Sequence, residues 1–124
     1  MMNPFLQVAI GGSVGAVARY SVTRAIAWHG PGFPIGTALV NILGSFLMGL
    51  LAVACAERLG HHYAPLLLTG VLGGFTTFSA FSLDALTLWE RGQVWGMGLY
   101  ILVSVVMSLV AVIAGLAVGR GLWA

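Results

Sequence analysis

The chain of 124 residues is 60% hydrophobic and 6% charged, with a mean hydropathy of +1.03. A soluble domain carries about 25% charged residues, so five arginines, no lysine and three acids cannot solvate a globular surface. The arginines are scattered, which excludes the clustered basic footprint that nucleic-acid binding needs. Cys55 is the single cysteine, so an intrachain disulfide and a thiolate metal cluster are excluded too. It reads as a small apolar filler in a helix. The chain is therefore expected to be an all-α integral membrane protein in a lipid bilayer.

Crossing the hydrocarbon takes about 20 apolar residues, and the chain divides into four such stretches. The first runs from about residue 4 to 28, with Pro4 suited to the first turn of a helix. Its opening Met-Met-Asn-Pro lacks a basic leader, so a cleaved signal peptide is not expected. It ends at the turn His29-Gly-Pro-Gly-Phe-Pro34. The second runs from about 35 to 56 and stops at Glu57-Arg-Leu-Gly-His-His62. The third runs from about 63 to 88, and Trp89-Glu-Arg-Gly-Gln93 links it to the fourth, about 94 to 118. Trp28, Trp89, Trp95 and Trp123 stand near span ends, where aromatic belts lie.

The third span contains Gly70-Val-Leu-Gly-Gly-Phe-Thr-Thr-Phe-Ser-Ala-Phe-Ser82. Glycines and β-branched hydroxyl residues weaken a helix. The carbonyls freed by a break must be buried in protein or face water. The third helix is therefore expected to be broken mid-span, and the break to be the working part. Small residues recur at helical spacing elsewhere: Gly11 with Gly15, Gly12 with Ala16, Gly115 with Gly119, and Gly36, Gly44 and Gly49 along the second span. In lipid such residues form packing faces.

The arginines fall almost evenly on the two sides of a four-span chain. With no positive-inside bias, the chain can insert both ways and pair antiparallel with itself. Four short spans also enclose little interior, which independently favours a dimer.

Enzyme signals are missing. The three acids lie near span ends, no histidine lies mid-span, and His61 and His62 read as surface residues with no zinc spacing around them. No phosphate loop or nucleophile triad is present. What remains is uncharged polarity in stripes. Thr37, Asn41 and Ser45 share one face of the second span, and Tyr100, Ser104 and Ser108 one face of the fourth. Such stripes serve either as glue between helices or as a hydrated path, and two of them favour the path. Phe75, Phe78 and Phe81 recur every three residues, and a phenyl edge is electropositive enough to approach an anion. Carbonyls freed at Gly73 and Thr76 could hold a cation, as unwound backbone does in sodium-coupled transporters. Arg19, deep in the first span, either draws an anion into a vestibule or snorkels to the interface.

The segments Gly11-Gly-Ser-Val-Gly-Ala-Val-Ala-Arg-Tyr20, Gly36-Thr-Ala-Leu-Val-Asn-Ile-Leu-Gly-Ser-Phe46 and Gly70 to Ser82 resemble the CrcB/Fluc fluoride channels in motif order across nearly the whole chain. That resemblance implies a dual-topology homodimer in the inner membrane with two antiparallel pores that export fluoride passively. It implies an anion path through Asn41, Phe78, Phe81, Tyr100, Ser104 and Ser108, and matches Arg19 to the family's first-helix arginine. It implies a structural sodium ion at the dimer centre on the Gly73 and Thr76 carbonyls of both subunits. One departure is visible: the usual Phe-Ser-Thr-Phe is Phe78-Ser-Ala-Phe81 here, which removes a hydroxyl at Ala80.

The reading is a non-enzymatic fluoride channel. A small multidrug-type proton-coupled exporter shares the span count, but needs a carboxylate in the first span, where this chain has none. A non-conducting membrane assembly subunit would leave the polar stripes and the break without a use.

Overall fold

A computed structural model describes residues 2–28 and 32–124, so the turn expected at 29–34 lies partly outside the described residues. Among them the chain is a bundle of helices. The first, α1, runs Pro4–Ala25, and α2 runs Ile35–Ala54 with a wider-wound extension, Cys55–Leu59. A short turn at His61–Tyr63 leads into α3, residues 65–75, whose Pro65–Leu72 part is wound with i to i+5 hydrogen bonds before an ordinary turn at Gly73–Phe75. Helix α4 is Phe78–Glu90 and α5 is Val94–Trp123. Three helical stretches are long and apolar enough to cross a membrane: Ile35–Leu59, His61–Glu90 and Val94–Trp123. Helix α1 has 22 residues, about 33 Å at 1.5 Å per residue. It has the length of a crossing, but its arginines and hydroxyls make it the most polar of the four.

Local chemistry sets the helix ends. Asn3 caps α1, its side chain accepting from the Phe5 amide at 2.8 Å, and Pro4 occupies the first turn. Helix α4 ends on Gly92, whose φ of 79° only glycine takes without strain. The Gly92 amide bonds the Trp89 carbonyl at 3.0 Å and the Gln93 amide the Leu88 carbonyl at 2.9 Å. That pair of bonds closes the last turn and reverses the chain into α5.

The bundle is built from two tightly apposed pairs. Helix α1 packs along α3, and α2 along α5, while α4 leans on α5. Contacts advance in the same direction on both members of each pair, so each pair runs parallel, the arrangement expected of alternate helices in an up-and-down bundle. The glycines expected as packing faces are the contact points except Gly12, where a Cβ would meet nothing within 4 Å. A Cβ on Gly11 or Gly15 would overlap the carbonyl of Leu66 or Val71, and one on Gly74 would stand 2.6 Å from the Gly12 carbonyl and 3.1 Å from the Ala16 amide. Across the other seam, a Cβ on Gly49 would overlap the Val112 carbonyl, and one on Gly115 the Phe46 carbonyl. Backbone meets backbone along both seams, the arrangement by which helices associate in lipid. Cys55 is buried, and His61 and His62 are exposed, as read from the sequence.

Candidate functional site

The third span is interrupted at Thr76 and Thr77, both extended, with φ/ψ of −89°/158° and −151°/123°. Breaking a helix strands amides and carbonyls, and buried ones must find partners. Most of the replacements here come from side chains. Asn41 of α2 clamps both ends of Thr77: its Oδ1 accepts from the Thr77 amide at 2.8 Å, and its Nδ2 donates to the Thr77 carbonyl at 3.0 Å. The Thr77 hydroxyl oxygen accepts from the Ala80 amide at 3.1 Å, capping α4. The Thr76 hydroxyl donates back to the Leu72 carbonyl at 3.0 Å. Arg19 reaches from α1, its Nε donating to the Gly74 carbonyl at 3.1 Å.

Each capture has a counterpart. In an unbroken helix the Thr77 amide would bond the Gly73 carbonyl, the Phe78 amide the Gly74 carbonyl, and the Ala80 amide the Thr76 carbonyl. Arg19 stands in for Phe78. The Gly73 and Thr76 carbonyls lose their helical donors to Asn41 and to Thr77. Gly44 lets the break lie against α2, since a Cβ there would overlap the Thr76 methyl and crowd the Phe75 ring at 3.3 Å.

Beside the break lies a cavity of about 310 Å³. Asn41 and Ser45 line it from α2, Thr76, Thr77, Phe78 and Phe81 from the third span, and Ser104 and Ser108 from α5, with Val105 and Leu109 completing the wall. Five of the seven anion-path residues read from the sequence thus share one cavity. Ser104 is 5% exposed, and its hydroxyl is buried with no partner among the described residues. The Phe78 and Phe81 rings meet edge to face, 5.5 Å apart at 65°. Their surroundings differ sharply: Phe81 is 9% exposed and Phe78 76%.

Tyr100 and Arg19 stand outside this lining. The Tyr100 ring packs on Phe81 at 5.3 Å, while its hydroxyl makes a long 3.4 Å bond to Asp84. Asp84 in turn lines a smaller pocket of about 240 Å³ with Thr37, Thr23 and Trp28. So Thr37, grouped in the sequence with Asn41 and Ser45, faces the Asp84 pocket, and Tyr100 touches a lining residue of each space, Phe81 with its ring and Asp84 with its hydroxyl. Arg19 neither lines the cavity nor simply extends to the interface, because its Nε is committed to the break. Sequence reasoning assigned no role to Thr77 or Asp84. The one available signal for Thr77 was a hydroxyl residue three before an amide at a helix start, the spacing of a cap.

A helical membrane bundle with a neutral, hydroxyl-lined cavity beside a broken span has the build of an ion channel. Residues 6–116 match the family described as CrcB-like protein, Camphor Resistance (CrcB). The chain is 60% identical over 124 residues to the fluoride-specific ion channel FluC of Paracoccus denitrificans, covering 100% of both chains. It is 54% identical over 122 residues to the FluC of Cereibacter sphaeroides, covering 98% of each. It is 46% identical over 125 residues to the FluC of Roseobacter denitrificans, covering 98% of this chain and 99% of the other. The chain belongs to the CrcB/FluC family of fluoride channels, which are ion channels and not enzymes. It is a multi-pass protein of the inner membrane.

Proposed function

We propose that two copies of this chain, inserted in opposite orientations, form a fluoride-selective channel that exports the ion passively. The observation that carries this reading is the cavity, where Asn41, Ser104, Ser108 and the edge-to-face phenyl pair Phe78 and Phe81 meet at the break. Fluoride is small and strongly hydrated, so a path must replace its water with donors. Asn41 and the serines supply N–H and O–H groups, and phenyl edges supply weaker positive charge. None of these lining groups carries a formal charge, so binding stays weak enough for release, as conduction requires. Ser104 fits particularly well, since its buried hydroxyl is unspent. Phe78, three-quarters exposed on one chain, is placed to be covered by a second copy.

The same reading includes a sodium ion between the two breaks, on the Gly73 and Thr76 carbonyls of each copy. The donor set suits a hard cation, which takes oxygen ligands. The hydrogen-bond accounting supports it too, because both carbonyls are deprived of helical donors by the Asn41 and Thr77 side chains. Gly73 is exposed and Thr76 half-buried on the single chain, which leaves both within reach of a partner. Bound there, sodium would supply fixed positive charge at the dimer centre.

The test is ion efflux from liposomes holding the purified protein, with fluoride and chloride loaded in parallel. Rapid fluoride release with chloride retained is expected. Release of neither ion from folded dimers would end the channel reading. Phe81→Ile is expected to stop fluoride efflux while the dimer persists on gel filtration; undiminished flux in that variant would remove Phe81 from the path.

A further inference from the structure

The peptide joining Thr76 to Thr77 has its two polar ends in two different sites. Its carbonyl is one of the proposed sodium ligands. Its N–H donates to Asn41 Oδ1 at 2.8 Å. Asn41 uses one N–H of its own amide on the Thr77 carbonyl, at 3.0 Å, and a primary amide has two. The second N–H belongs to a side chain that lines the cavity with Phe78, Phe81, Ser104 and Ser108. We propose that the Thr76–Thr77 peptide and the Asn41 side chain form a two-amide relay coupling cation binding at the break to anion binding in the cavity.

The physical basis is amide polarisation. Positive charge held at a carbonyl oxygen draws electron density through the conjugated O–C–N unit and makes its N–H a stronger donor. A stronger bond into Asn41 Oδ1 does the same to Asn41's own amide, whose remaining N–H then binds an anion more tightly. Chains of hydrogen bonds strengthen one another by roughly 10–30% per bond in condensed phase, and this chain has few links over which to lose the effect. Both amides are held rigidly, since Asn41 grips the Thr77 peptide groups at two points and Thr77 is fixed again as the cap of α4. On this view Asn41 is a positioning residue for the cation site and a donor to the anion, and the sodium tunes the pore instead of only stapling the dimer.

The inference rests on the channel and sodium reading given above, and its test separates the two. The chain has two asparagines, Asn3 and Asn41, so protein labelled with nitrogen-15 at asparagine shows two side-chain amide pairs. Sodium chloride added to fluoride-free dimer is expected to move the Asn41 pair and leave Asn3, with potassium chloride as control; sodium-23 line broadening reports binding independently. Linkage is reciprocal: saturating sodium should tighten fluoride binding by roughly fivefold, at the low end of ordinary site-to-site couplings, and fluoride should tighten sodium by the same factor. Sodium bound and fluoride conducted, with the Asn41 pair unmoved and neither affinity changed, would overturn the relay alone. Failure of sodium to bind would remove the cation site and the relay together. Asn41→Ser supplies a second arm: fluoride affinity in that variant should no longer respond to sodium, and a response equal to wild type would mean the coupling acts through space.

Discussion

The glycine seams and the helix break solve opposite problems with opposite materials. Along the α1–α3 and α2–α5 seams, side chains are removed so that backbones touch. At Thr76 and Thr77 the backbone is pulled out of its helix, and side chains from two other helices are brought in to replace the lost partners. A seam is held by shape, and any added atom hurts it. The break is held by directed bonds, and it matters which atom is present. The seams make the break possible, because α1 delivers Arg19 and α2 delivers Asn41 only if each lies at the right height.

Substitutions can divide the two regions. The largest effect is expected for Gly15→Leu, where even a Cβ overlaps the Val71 carbonyl; overpacking at roughly 3 kcal/mol or more should prevent recovery of folded protein on gel filtration. A normally eluting variant would mean that the seam can slide. Gly44→Val comes next, since its side chain strikes the Thr76 methyl and the Phe75 ring. A cost of about 1–3 kcal/mol should leave dimer but abolish fluoride efflux, because the break itself is displaced. The smallest effect is expected for Thr77→Val, which keeps the shape and removes the α4 cap. It should cost about 1 kcal/mol in thermal unfolding, and Thr77→Ser should restore it. Loss in Thr77→Ser with none in Thr77→Val would show that the methyl, not the hydroxyl, is what α4 requires.

Much of this was legible beforehand because membranes constrain chains so strongly. Span lengths follow from hydrocarbon thickness, glycine spacing follows from close helix approach, and a Gly-Gly followed by Thr-Thr can hardly continue a helix in lipid. That reasoning located the break; it was the family resemblance that implied one path through Asn41, Phe78, Phe81, Ser104 and Ser108, and all five line the cavity. It did not foresee where Arg19 goes, because its partner is a carbonyl 55 residues away, fixed only once α1 lies along α3. Nor did helical spacing separate Thr37 from Asn41, or Tyr100 from Ser104. One turn along a helix is enough to pass from the cavity to the Asp84 pocket, and periodicity records the face of a helix but not what stands opposite at each level. The wide winding of Pro65–Leu72 left no trace in residue types that we can point to.

Helix α5 has one more consequence. Its 30 residues, Val94–Trp123, measure about 45 Å, the full depth of a bilayer with its headgroup layers. Trp95 and Trp123 stand at opposite ends, as a pair of interfacial anchors would. A thinner bilayer must then thicken around this helix, or the helix must kink or tilt. Because Gly115 and Gly49 join it to α2 backbone to backbone, the tilt would be felt by the serines and by Asn41 together. Lipid chain length is thereby a mechanical input to the cavity, set by the membrane in which the cell places the protein.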